Sequence, residues 1–317
     1  MSDKKILRLG AMVIAGAVLL RLATGIWAPA VQAAQQLQLG QVLLFLQTGR
    51  VVRYAPLPEQ TDNTVTSSQQ VQEQPVFSET DQALLQLRND SGQTADLPTA
   101  LLQPLSWDLC AEAPTVLILH SHGSESYTKT ETYAETTPYR TLDTDHNVVS
   151  VGDLLAQELE NAGIRVIHDR TMYDVPSYND AYVQARSAIE AHLKENPSIS
   201  LVLDLHRDAA TDTAGQQIRY SVATPEGEAA KLMLVLGTNH DGWNSNLALA
   251  TKLQVQLERL CPGICRATNL RAQRFNQDLC PNTVLVEVGT TGNTRPEALI
   301  AVKYLAQAII SLAGGTQ

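Results

Sequence analysis

Basic charge, aromatic side chains and cysteine are all scarce in this chain. Lys and Arg number 23 against 33 Asp and Glu, for a net charge of −10. That balance argues against nucleic acid as a partner, because phosphates call for a basic footprint. Aromatics make up 5% of a chain that is 44% hydrophobic, so the core must be mostly aliphatic. Four cysteines are present, with Cys261, Cys265 and Cys280 clustered and Cys110 apart. Their spacing supplies no paired set of Cys-x2–4-Cys knuckles for structural zinc. A Cys265–Cys280 disulfide and ordinary buried thiols both fit. No Gly-x-Ser-x-Gly elbow is present, which removes that serine arrangement. No phosphate-cradling glycine loop occurs either, and no internal repeat is evident.

What is present begins with a membrane signal. Lys4, Lys5 and Arg8 precede a mostly apolar stretch from Leu9 to Val31, broken only by Arg21. That stretch exceeds the roughly 20 residues needed to span a bilayer, and the basic flank favours an inside N-terminus. Val31-Gln32-Ala33 also resembles a small-residue cleavage site, so residues 1–33 are expected to be an anchor or a removed signal. Either way the bulk of the chain lies outside the cytoplasm. Residues 34–103, rich in Gln, Thr, Ser, Asp and Glu, read as a polar spacer with little fixed structure. A single catalytic domain is expected over 104–317.

That domain alternates apolar strands with amphipathic helices. Val116–Leu119 is a strand. Asn147 caps a helix carrying Val148, Val151, Leu155 and Leu159 and ending near Gly163. Ile164–Ile167 is a short strand, and Ser177–Asn196 a helix with Ser177 and Asp180 at its start. Ile199–Leu205 is the next strand. Ile218–Ala223 and Leu232–Leu236 read as two more, an antiparallel pair being one arrangement. Asn246–Leu260 is a helix, Val284–Val288 a strand, and Thr294 with Glu297 a capping box for the last helix. This alternation predicts an α/β fold with a mostly parallel twisted sheet covered by helices on both faces.

Three strands carry the chemistry. His206 closes an apolar run and opens His206-Arg207-Asp208. Val116–Leu119 runs into His120-Ser121-His122, with Glu125 three residues on. Glu287 sits between Val286 and Val288. Parallel strands deliver their carboxyl ends to one sheet edge, where open α/β folds place their sites. A hydrolytic zinc centre needs three ligands from His and carboxylate, an open position and a nearby base. His206 fits a ligand at a strand end. Asp204 lies on its face by strand alternation, either orienting it or capping a neighbouring amide. His120 and His122 are both open as a ligand, since Gly123 signals a turn. Glu125 reaches the same metal as His122 if that turn is tight. Glu287, if unpaired, is raised toward neutrality and serves as general base; the alternative is a structural pairing with Arg140 or Arg207. His192 reads as a core residue.

Together these segments resemble the stage II sporulation protein P family over residues 104–317. The likeness rests on Val116-Leu-Ile-Leu-His120-Ser-His122-Gly-Ser-Glu125-Ser-Tyr127, Asn147-Val-Val-Ser-Val-Gly-Asp153 and Asp204-Leu-His206-Arg-Asp-Ala209. It continues in Gly237-Thr-Asn-His240 with Asn246, Arg274-Phe-Asn-Gln-Asp278, and Leu285-Val-Glu287-Val-Gly289 with Gly292-Asn-Thr294. The resemblance implies a zinc-dependent N-acetylmuramoyl-L-alanine amidase acting on peptidoglycan during engulfment in sporulation. It also implies stage II sporulation proteins D and M as partners and a single membrane span with the catalytic domain outside the cytoplasm. Carried onto this chain, the metal ligands are His122 or His120, Glu125 and His206, with Glu287 catalytic. The chain departs from the wider amidase superfamily in offering Asp145 and His146 where classical members place their ligand Glu, and in lacking a Gly-His-Gly-Gly-like motif. Rival activities are a zinc endopeptidase or carboxypeptidase on stem peptides, or a non-catalytic wall-binding scaffold.

Overall fold

The computed structural model describes residues 75–136 and 138–314. The expected membrane segment, and the polar stretch as far as residue 74, lie outside the described residues.

Seven strands form the main sheet: β1 (Leu87–Asp90), β2 (Val116–Leu119), β3 (Val166–His168), β4 (Leu201–Asp208), β7 (Leu232–Gly237), β8 (Thr268–Arg271) and β9 (Thr283–Thr290). Their order is β1-β8-β7-β9-β4-β2-β3. Every neighbouring pair is parallel except β7 with β9. The helices are α1 (Leu97–Leu102), α2 (Val148–Asn161), α3 (Ala181–Glu195), α4 (Trp243–Leu260) and α5 (Arg295–Ala313). The fold is therefore α/β with a mostly parallel sheet and helices on both faces.

Strand alternation divides the aliphatics between two layers. Val116, Ile118, Leu203, Leu205, Leu234, Val284 and Val286 point to one face, in a single core with Leu155 of α2, Leu253 of α4 and Leu305 of α5. Each such fully buried side chain contributes roughly 1.5–3 kcal/mol of burial energy. On the other face, Leu117, Leu119 and Val202 pack against Ala185 and Ile189 of α3. Beyond β4, on that same face, Met233, Val235 and Leu285 form a small separate cluster with Phe275 packed against it. That half of the sheet floors a cavity.

The local signals behave as their chemistry requires. Asn147 accepts from Val149 N to start α2, and Gly163, just past its end, has φ +84°. Glu297 accepts from Thr294 N at 3.3 Å in the capping box of α5. α5 is long and apolar enough to cross a bilayer, but Ala301, Val302, Leu305 and Ile309 are buried in the core, so here it is a core helix.

Three expectations are corrected. The spacer read over 34–103 holds fixed elements in its described part: a 3-10 turn at Glu79–Leu84, then β1 and α1. Polar composition hid a few apolar anchors, among them Leu101 of α1, fully buried against the domain. Ser221–Thr224 (β5) pairs not with Leu232–Gly237 but with Gly227–Ala230 (β6) in a separate hairpin. β7 instead inserts beside β9, because its apolar residues on alternate sides can be buried only inside the main sheet. Ser177 makes no side-chain cap; a 3-10 turn at Tyr178–Asp180 precedes α3. Of the two cysteine states left open, the structure has free thiols at all four positions.

Candidate metal centre and active site

His206 and Asp204 point to the cavity side of β4, and register places Glu287 of β9 directly beside His206. The register shifts just beyond this pair, opposite Asp208, where β9 carries Gly289 at φ +74°. A bulge of this kind ends regular pairing and re-aims the residues around it. From β2 the chain passes His120 and Ser121 and turns at His122, whose carbonyl accepts from Glu125 N at 3.2 Å. That turn brings His122 and Glu125 over the end of β4.

The result is one compact group: ligand atoms of His122, Glu125 and His206 all lie within 4.8 Å of one another. Glu125 Oε1 is 3.7 Å from His122 Nδ1, and Oε2 is 3.5 Å from His206 Nδ1. Tetrahedral zinc with bonds of about 2.1 Å would set neighbouring ligand atoms about 3.4 Å apart. The donor set fits zinc in both type and spacing.

Asp204 caps a neighbouring amide and also lies beside His206. Its carboxylate accepts from Ser121 N at 2.8 Å and from Ser121 Oγ at 2.6 Å. Its Oδ1 also approaches His206 Nε2 to 2.9 Å, off the N–H direction, so Nε2 lacks a hydrogen-bond partner. His206 thus has Nδ1 facing the Glu125 carboxylate and Nε2 beside the Asp204 carboxylate.

His120 is elsewhere. It is fully buried, with Nδ1–H donating to Leu205 O at 2.9 Å and Nε2 at 2.9 Å from His168 Nε2. Since the carbonyl can only accept, the His120 proton sits on Nδ1 and Nε2 receives the His168 N–H. Burial pushes His120 down to about 3 and His168 to about 4. The pair is packed tightly enough that only glycine fits at position 152, where a Cβ would lie 2.6 Å from His168 Nε2. His146 bonds to Asp143 at 2.8 Å and stacks on Tyr133, and Asp145 is exposed, so neither joins the triad. His192 is half-buried and bonds to Asp169 at 2.9 Å.

Electrostatics separate the two glutamates. Burial works against the charge on Glu125, but Arg207 and His206 outweigh it and hold the carboxyl near 2. Arg207 N donates to Glu125 Oε2 at 3.1 Å, while its guanidinium donates to Ser126 O and Tyr139 O at 2.7 and 2.6 Å, tying the loop to β4. Glu287 has no arginine partner among the described residues, and its Oε2 is buried without a hydrogen bond. Burial, only partly opposed by the charge on His206, lifts it to about 8. Arg140, the alternative partner, instead bonds to Asp174 at 2.6 Å.

Several contributors carried little sequence signal. Tyr178 stacks on His122 at 4.2 Å, Arg140 lies over the Tyr178 ring at 4.4 Å, and Tyr182 packs edge-on to His122 at 5.2 Å. A Tyr pair spaced i, i+4 at a helix start was the one available clue. All of these line a cavity of about 790 Å³ that extends from the triad across the open half of the sheet.

The sequence model of the stage II sporulation protein P family matches residues 43–310. The chain belongs to that family. It is 27% identical to stage II sporulation protein P of Bacillus subtilis (strain 168) over 196 residues, which cover 57% of this chain and 47% of the relative. The chain thus spans about half the length of that curated family member. Among solved structures it is similar to an N-acetylmuramoyl-L-alanine amidase from Clostridium difficile 630, at 16% identity and TM-score 0.40, covering 63% of this chain and 97% of that one. The CwlD amidase from Clostridioides difficile, in complex with the GerS lipoprotein, gives 15% identity and TM-score 0.40, with 63% and 95% covered.

Proposed function

We propose that this member of the family is a zinc-dependent peptidoglycan hydrolase that cleaves the amide between N-acetylmuramic acid and L-alanine, acting in sporulation. The observation that carries the reading is the convergence of His122, Glu125 and His206 in one group, with Glu287 in register beside His206 on the cavity floor. His122, Glu125 and His206 would hold zinc, which would supply Lewis acidity toward a carbonyl and acidify water. Asp204 keeps the His206 ring turned toward Glu125. Among the described acidic groups of the site, Glu287 alone makes no ion pair, and burial lifts it to about 8. As carboxylate it takes the proton from the attacking water; as acid it returns that proton to the leaving nitrogen. The arginines hold the loop bearing Glu125 and keep that carboxylate ionised, ready to ligate.

Family membership also supports stage II sporulation proteins D and M as partners and a membrane-anchored location. Mass analysis of purified peptidoglycan digested by the zinc-loaded protein tests the bond assignment. Free glycan strands with intact stem peptides are expected; shortened stems would assign a peptidase, and an undigested wall would leave a scaffold.

A further inference from the structure

The cavity continues past the triad. Its floor runs from Glu287 and Leu285 on β9, over Met233 and Val235 on β7, to Asn269 and Arg271 on β8. Register fixes the layout: Met233 opposes Glu287, and Val235 opposes both Leu285 and Asn269. With strands about 4.8 Å apart and alternate residues about 7 Å apart, Asn269 lies on the order of 12 Å from Glu287. An extended peptide crosses that distance in about three to four residues.

Two observations at the far end call for a ligand. Asn269 is 6% exposed, yet its Oδ1 has no hydrogen-bond partner. A buried acceptor left empty is unfavourable unless something else donates to it. Arg271 follows two residues later on the same face. The neighbouring Arg88 and Arg266 are paired with Asp90 and Asp208, both at 2.7 Å, whereas Arg271 has no carboxylate partner among the described residues. An N–H is wanted at one position and an anion at the next. The last residue of a peptide offers both, its amide N–H and its terminal carboxylate being joined through one Cα.

We propose that Asn269 and Arg271 form a subsite for the C-terminal residue of the substrate's peptide, with Met233, Val235 and Leu285 as an apolar saddle between it and the reacting amide. Asn269 Oδ1 receives the N–H, and the Arg271 guanidinium takes the carboxylate in a charge-assisted pair. This extends the hydrolase reading and takes its substrate class from it, but its test needs no turnover.

The test is calorimetric binding to the full chain. The probes are an N-acetylated tetrapeptide of alanine, glutamate, lysine and alanine with a free C-terminus, and the same peptide as its C-terminal carboxamide. The acid should bind about tenfold tighter or more than the amide, and Arg271→Gln should erase that preference. Asn269→Asp, which sets a negative charge beside the carboxylate, should reverse it, so the question survives if Arg271→Gln fails to fold. A wild-type chain that binds both probes equally or not at all, or a folded Arg271→Gln chain that keeps the preference, overturns the subsite. Loss of wall cleavage with the preference intact would instead remove the reaction assignment and leave the subsite standing.

Discussion

Replacing Asp204 with asparagine isolates the group that holds His206 in place. The side chain keeps its volume, and its remaining oxygen can still accept from Ser121 N, now at 2.8 Å. The negative charge 2.9 Å from His206 Nε2 is lost, and Ser121 Oγ loses a charged acceptor at 2.6 Å. A hydrogen bond to a charged group is worth about 1.5–3 kcal/mol, of which the neutral amide recovers roughly half, so the metal-free chain should lose about 1–2 kcal/mol. The larger effect falls on zinc. Carboxylates behind a ligating histidine typically control 10- to 100-fold in metal affinity, and a fall of that size is expected for Asp204→Asn. Asp204→Ala should lose more stability, because Ser121 N and Oγ are then both buried without an acceptor at about 1–3 kcal/mol each. Chelator competition gives the affinity and urea unfolding of the zinc-free protein gives the stability. Wild-type zinc affinity in a folded Asp204→Asn chain would refute the role given to Asp204.

Gly152→Ala, normally a gain of about 1 kcal/mol in a helix, should here destabilise by about 1–2 kcal/mol, because the added Cβ lies 2.6 and 2.7 Å from the His168 and His120 rings. A raised melting temperature would show that the pair yields easily. The same pair should make stability fall in mild acid. Burial holds both rings down when folded, at about 3 and 4, outweighing for His168 the Asp153 carboxylate 3.1 Å from its Nδ1, while the unfolded chain takes up protons as pH drops through about 6.5. The unfolded state binds more protons in that window, so each ring removes about 2 kcal/mol between pH 7 and pH 5. His168→Gln should recover about that amount of the difference between urea midpoints at pH 7 and pH 5, and an unchanged difference would contradict the assignment. For the N-terminal segment, protease added to intact protoplasts should digest the domain; digestion only after lysis would place it inside.

Much of the site was legible because it depends on short-range rules. Strand alternation alone put Asp204 and His206 on one face, and the three-residue step from His122 to Glu125 needed only a tight turn. Between His120 and His122 the sequence left a choice, because the outcome depends on where the strand stops. His120 ends inside the layer under α2, and the chain turns only after it. Glu287 was visible as a carboxylate among aliphatics, but its place beside His206 depends on register between strands far apart in the chain. The same long-range pairing concealed β7, whose antiparallel insertion next to β9 opens the floor on which Asn269 and Arg271 lie. Residues 75–103 were misjudged because average polarity says little when a few side chains such as Leu101 do the anchoring.

Glu287→Gln tests the central chemistry most directly, measured together for melting temperature, zinc content and hydrolysis of purified wall. Glu287 makes no hydrogen bond through Oε2 and no arginine pairs with it among the described residues, so the fold and the bound zinc should be retained. Turnover should drop by about 100- to 10,000-fold, the usual contribution of a positioned proton-transfer group. A stable, zinc-loaded Glu287→Gln protein that digests wall at close to the wild-type rate would contradict the mechanism.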